Sequence, residues 1–250
     1  MSKEIMMKIF KPLLTLSLLA AALPAAALDG EALLKRIDAK LMPPSYEAYR
    51  KLINIEPDGK KKEFVFYSVK KGRDSVAMLY LSPASEKGRS TLRLGENMWL
   101  YIPNVGRPMR ITSLQSVTGG VFNNADIMQV DYAAEYAVKS ATPEAGGYLL
   151  DLKAKNKTVA YDRLKMWARK DETLEKIECY SSSGMLIKTL EFKEPKDFGG
   201  GFSRPSVLET HSPLYKGYKS VMIYSQVKAR EFKDEVFTTG YMSRLEGLRK

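Results

Sequence analysis

The chain has 250 residues with 40 Lys+Arg against 29 Asp+Glu, a formal charge of +11, one histidine and one cysteine. A single histidine (His211) excludes a multi-histidine zinc site, and a single cysteine (Cys179) excludes an intrachain disulfide and leaves mixed metal sites without partners. The excess of base suits anionic headgroups or an acidic partner better than nucleic acid, because no Lys/Arg block is longer than Lys60-Lys61-Lys62.

Lys3, Lys8 and Lys11 form a positive stretch, Pro12 to Leu23 is apolar, and Ala25-Ala26-Ala27 supplies small residues before a polar restart at Asp29. Residues 1–27 therefore read as a cleaved signal peptide, which places the mature protein in the periplasm. The apolar run is shorter than the roughly 20 residues of a spanning helix, which argues against a retained anchor. Residues 28–250 suit one domain.

Asp29 is placed to cap a helix from Gly30 to about Leu41, with Leu33, Leu34, Ile37 and Leu41 on one face and Pro43-Pro44 as the stop. The pattern then changes to period two. Ala48–Ile55, Glu63–Lys70, Ser75–Leu81, Ser90–Leu94, Met98–Ile102 and Met109–Ile111 read as strands, punctuated by Pro57-Asp58-Gly59, Gly72, Gly88 and Gly95. Gly119-Gly120 and Asn123-Asn124 mark an irregular loop, and Ala125 to about Val130 suits a helical turn. Strands resume at Ala137–Ala141, Tyr148–Ala154, Arg163–Arg169, Leu174–Tyr180, Leu186–Phe192, Ser206–Glu209 and Ser220–Val227, and Thr239 starts a last short helix. Short connections predict antiparallel neighbours.

A half-buried strand is apolar on one face only. Here Phe64 and Phe66 alternate with Val65, Tyr67 and Val69; Met78 and Tyr80 alternate with Ala77 and Leu79; Trp99 and Tyr101 alternate with Met98 and Leu100. Both faces of the first half of the sheet want cover, and two or three short helices supply little of it. From alternation alone, a fully packed sandwich or barrel stands slightly ahead of a sheet curled around an apolar pocket.

Catalytic signatures are absent from the sequence. His211 has no G-x-S-x-G elbow to serve, neither a GxxxxGK[ST] nor a GxGxxG stretch occurs, and Gly199-Gly200-Gly201 reads as a turn. No cofactor, no metal and no enzymatic activity are expected.

Trp99-Leu100-Tyr101-Ile102-Pro103, Arg110-Ile111, Gly119-Gly120-Val121-Phe122, Asp126 and Asp131-Tyr132 resemble the outer-membrane lipoprotein-sorting family, the LolA-like periplasmic carriers, in a longer, divergent branch. The resemblance spans most of the mature chain. It implies a mainly β fold with a few short helices: a curved antiparallel sheet, or incomplete β-barrel, with a helical lid over a hydrophobic cavity. It also implies a carrier or binding protein for a lipoprotein or other lipid-like cargo, with an inner-membrane transporter or outer-membrane acceptor as partner. The candidate cargo-binding residues are Phe64, Phe66, Met78, Tyr80, Trp99, Tyr101, Met109, Arg110 and Phe122. A non-carrier accessory module docking on an envelope transport system is the competing expectation.

Overall fold

The structure is a computed structural model that describes residues 28–116 and 118–249; the expected signal peptide at residues 1–27 lies outside the described residues. The chain opens with α1 (Gly30–Leu41), whose N-terminus is capped as expected: the Asp29 carboxylate accepts from the Ala32 amide at 3.0 Å. Strands β1 (Ser45–Ile55), β2 (Lys61–Lys71), β3 (Ser75–Ser82), β4 (Ser90–Leu94), β5 (Asn97–Tyr101) and β6 (Pro108–Ile111) follow. Two one-turn helices, α2 (Asn124–Ile127) and α3 (Tyr132–Glu135), lead into β7 (Tyr136–Glu144), β8 (Gly147–Ala154), β9 (Arg163–Arg169), β10 (Leu174–Tyr180), β11 (Leu186–Asp197), β12 (Ser203–His211) and β13 (Lys219–Ala229). The chain then continues in two 3-10 segments, Asp234–Phe237 and Thr239–Arg249; the second starts at Thr239, where the last short helix is expected, and is of the tighter 3-10 kind.

All the strands join one 13-stranded sheet in the order β6-β5-β4-β3-β2-β1-β13-β12-β11-β10-β9-β8-β7. Every pairing is antiparallel: each strand pairs with its neighbours in sequence, except that β6 and β7 do not pair, and the two halves join at the seam where β1 pairs with β13. β6 and β7 are the free edges, so the sheet is an incomplete barrel. Loops bring the two halves together: Ser113 Oγ donates to the Thr158 carbonyl at 3.0 Å, and the Asn156 amide donates to Glu96.

Period-two alternation divides the apolar residues between two layers. On the concave side, Phe66, Met78, Tyr80, Leu150, Met166, Ile177, Leu190 and Tyr224 pack with the buried face of α1 (Leu33, Leu34, Ile37, Leu41). On the convex side, Tyr67, Val69, Ala77, Leu79 and Leu92 pack under Phe232, Val236, Phe237, Met242 and Leu245 of the C-terminal strap, residues 230–249. The two-sided apolar character of β2 to β5 thus has two separate covers. Among the described residues no helix is long and apolar enough to cross a membrane.

Candidate functional site: the filled concave face

The segment linking β6 to β7 has to pass from one free edge of the sheet to the other, and it does so through the hollow. Polar side chains on the sheet grip its backbone. Asn54 on β1 donates to the carbonyls of Thr118 and Gly119, both at 3.1 Å, and orients Ser220 Oγ, which accepts from the Val121 amide at 2.9 Å. Gly120 has φ +75°, and a Cβ there would fall 2.2 Å from Asn54 Oδ1, so only glycine allows this approach. Arg50 Nη1 donates to the Ile127 carbonyl at 2.8 Å, and Arg93 Nη1 to the Met128 carbonyl at 3.1 Å.

The centre of this plug is a buried ion pair. Lys188 on β11 lies 2.8 Å from Asp126 Oδ2 and also donates to the Val121 carbonyl. Asn123 and Asp126 form a reciprocal capping box that starts α2, and the Tyr161 hydroxyl donates to Asp126 Oδ1 at 2.8 Å. Every polar group in the cluster has a partner, which is what makes its burial tolerable. Burial pushes the Tyr161 hydroxyl and the Cys179 thiol well above their ordinary values, so Cys179 is a neutral, inert packing residue.

A second anchor ties the plug to α1. Asp38 accepts from the Tyr132 and Ala133 amides at 2.9 and 2.8 Å, which fixes the start of α3. Desolvation outweighs these two hydrogen bonds and raises the Asp38 carboxyl to about 7. Lys70 and Arg73 reach the neighbouring Asp131.

The result is a dense interior. The cavity left between α2, α3 and β9 to β11, beside Asp126, Tyr136, Tyr161 and Cys179, measures about 30 Å³. That is room for one or two waters, against the roughly 300–1,000 Å³ of an occupied ligand site. The expected open hydrophobic cavity is therefore filled in this arrangement, and the filling is the β6–β7 segment, whose course through the hollow only the topology discloses.

The nine candidate residues divide between the two faces. Phe64, Phe66, Met78 and Tyr80 meet on the concave side, with the Phe66 and Tyr80 rings edge to face at 4.9 Å, and Phe122 is buried there from the plug. Met109 pairs with Leu100 across β5–β6 and shares the phase of Ile111, which packs against the same core. Trp99 and Tyr101 lie on the opposite, convex side against the layer under the strap. Arg110 is exposed, stacks 4.7 Å above Trp99 and donates to Asn97. Those three are not brought to the hollow. Missing from the candidates were Arg50, Lys188 and Arg204, all buried. The first two do carry a signal: Arg50 is in phase with Ala48 and Leu52, and Lys188 with Leu190 and Phe192.

An open antiparallel sheet curled around a helix and a looped plug is shared with several solved structures. A family model described only as that of an uncharacterized protein matches residues 72–244. A LolA superfamily protein from Nitrosomonas europaea superposes with a TM-score of 0.77 at 25% identity, over 86% of this chain and 100% of that one. A DUF1329 family protein from Desulfovibrio piger gives 0.72 at 21% identity, over 85% and 97% of the two chains. A structure described as an outer-membrane lipoprotein-sorting protein domain from Vibrio parahaemolyticus gives 0.71 at 18%, over 86% and 98%. A search of curated protein sequences found no match. The chain belongs to the LolA-like family.

Proposed function

We propose that the chain is a periplasmic carrier or binding protein for a lipoprotein or other lipid-like cargo, that it works between the envelope membranes without catalysing a reaction, and that the arrangement described above is its closed state. The observation that carries this reading is how the plug is held. Its backbone is gripped by Asn54, Arg50, Arg93 and Lys188 through hydrogen bonds, which water can replace when the segment moves out. Beneath it lies an apolar floor of Phe64, Phe66, Met78 and Tyr80, with Met109 beside it. An acyl chain gains about 0.8 kcal/mol per methylene on leaving water, so an uncovered floor of this kind rewards a lipid guest. We assign Phe64, Phe66, Met78, Tyr80, Met109 and Phe122 to cargo contact.

The small cavity beside Asp126 and Tyr161, about 30 Å³, favours the other reading, an accessory module that docks on an envelope transport system and never opens. One experiment separates the two. Purified mature protein is extracted with organic solvent for mass spectrometry and titrated with a fluorescent acyl probe. A carrier yields bound lipid and saturable probe binding, which Phe122→Glu weakens at least tenfold and Lys61→Glu leaves unchanged. Wild-type protein with no lipid and no probe binding overturns the carrier reading.

A further inference from the structure

The concave face buries more positive charge than it balances. Of its basic side chains, Lys188 has Asp126, Lys70 has Asp131 and Arg93 has Glu135. Arg50 and Arg204 are as deeply buried, at 4% and 2% exposure, yet among the described residues neither has a carboxylate partner. Arg50 donates to the Ile127 carbonyl and to Met78 Sδ, and Arg204 Nε donates to the carbonyl of Pro205. Arg50 Nε and Arg204 Nη1 have no hydrogen-bond partner at all. Both guanidiniums converge on one ring, with Arg204 3.9 Å and Arg50 5.6 Å from the centroid of Tyr224. Tyr224 sits on β13, the middle strand of the sheet, opposite Arg50 at a register shift that leaves Ser225 unpaired and re-aims the strand.

Removing two guanidiniums from water without an anion is costly, and buried cations are ordinarily paired. The electrostatic consequence shows in the tyrosines. Burial pushes the Tyr46, Tyr80, Tyr132, Tyr136 and Tyr161 hydroxyls up. Burial also acts to raise Tyr224, but Arg204 and Arg50 outweigh it and hold that hydroxyl below its ordinary value. The floor of the hollow is thus a place where negative charge is favoured inside an otherwise apolar lining.

We propose that Arg50, Arg204 and Tyr224 form a binding site for a phosphate-type anion, filled in the open state by the anionic headgroup of a lipid cargo. The proposal rests on the carrier reading and narrows it to cargo with a charged phosphate. Arg50 and Arg204 supply the unused N–H donors and the charge, as guanidinium forks do for phosphate oxygens. The Tyr224 hydroxyl, kept protonated once an external anion takes over the charge balance, supplies a further donor. The apolar floor at Phe66 and Met78 then takes the chains.

The test is a titration of the full mature chain with phosphatidylglycerol and with diacylglycerol of identical acyl chains, each presented below its aggregation limit, with inorganic phosphate as competitor. The expected result is at least tenfold tighter binding of phosphatidylglycerol. Arg204→Gln is expected to bring the two lipids within threefold of each other, and Arg204→Lys to restore part of the gap. Millimolar phosphate that weakens only phosphatidylglycerol supports the anion site. Phosphate binding seen calorimetrically without any headgroup preference keeps the anion site but overturns its assignment to lipid. Equal binding of the two lipids, with no phosphate binding, overturns the proposal and leaves the carrier reading standing; binding of neither lipid removes the carrier reading as well. The wild-type comparison decides these outcomes even if every Arg204 variant is unstable. A preference that survives in a folded Arg204→Gln protein also overturns the proposal.

Discussion

The two halves of the sheet solve the same burial problem differently. From β2 to β5 both faces are apolar, and the convex face lies under the C-terminal strap, with Tyr67, Leu79 and Leu92 against Phe237, Met242 and Leu245. From β8 to β12 the convex face is polar and salt-bridged: Arg163 pairs with Asp151, Lys176 with Glu178 and with the Trp167 ring at 3.7 Å, and Lys193 with Glu191 and Glu209. Only the concave face of this half is covered, by α1 and the plug, and α1 contacts β7 and β12. Two-sided apolar strands therefore mark where the chain returns as a second layer. They do not by themselves mark a ligand surface, and Trp99 and Tyr101 belong to the returning layer.

The largest expected effect breaks the first half's extra cover. Phe237 is 5% exposed in the layer between strap and sheet, edge to face with Phe232 at 6.3 Å. Phe237→Ala should cost about 3–5 kcal/mol, the usual range for a buried phenylalanine, read as a lower urea midpoint at unchanged slope. A loss below 1 kcal/mol would mean that the strap is a loose tail and that the two halves do not differ in the way described. The strap's polar ties, from Arg230 to Glu47 and from Ser90 Oγ to the Met242 carbonyl, would then be ornamental.

Most of the fold was legible because strands and turns leave local marks. Ser90–Leu94, Arg163–Arg169 and Leu174–Tyr180 match their expected bounds, as does α1, since glycines, prolines and the Asp29 cap punctuate them. β11 and β12 run longer than the apolar alternation, to Asp197 and from Ser203, because their ends pair with each other, the β11 end being exposed and the β12 end carrying the buried but charged Arg204. What local pattern cannot carry is which loop fills which space. The passage of residues 118–135 through the hollow follows from β6 and β7 lying at opposite edges of the sheet, a property of the whole order. Arg50 and Lys188 are in phase with apolar neighbours, but a charged residue in such a position is normally discounted as solvated; Arg204, beside Ser206, has no such pattern, and all three face inward.

An intermediate effect sharpens the contrast from the other side. The cover of the second half is fastened by a titratable group, whereas the strap over the first half is fastened mainly by apolar contact. Asp38 has its carboxyl raised to about 7 by desolvation, against 3.8 when unfolded. Between these values the folded chain holds a proton that the unfolded chain has released, so the contribution of Asp38 to stability is greatest at and below about pH 4, falls as pH rises to about 7, and then levels off. At about 1.4 kcal/mol per pKa unit the change is of order a few kcal/mol. The stability difference between wild type and Asp38→Asn should therefore shift in favour of the variant from pH 4 to 7 and stay constant above that. A difference that is flat across this range would place Asp38 at an ordinary carboxylate value and remove the pH-sensitive fastening of α1 to α3.

The smallest effect belongs to the charged convex face. Lys193 bridges Glu191 at 2.6 Å and Glu209 at 2.7 Å, and Lys219 shares Glu209 at 2.9 Å, but the Lys193 side chain is 45% exposed. Those two carboxylates hold the Lys193 ammonium above its ordinary value, which marks a real attraction in a well-screened place. Exposed pairs of this kind contribute about 0–1 kcal/mol, and screening shortens their reach to roughly 3 Å at 1 M salt. Lys193→Ala should accordingly cost under about 1 kcal/mol at low ionic strength and nothing measurable in 1 M sodium chloride, while the Phe237→Ala loss persists in both. Persistence of the Lys193→Ala loss in high salt would show that its stem, not its charge, protects the sheet. The second half would then also depend on apolar cover of its convex face, and the distinction between the halves would become one of degree.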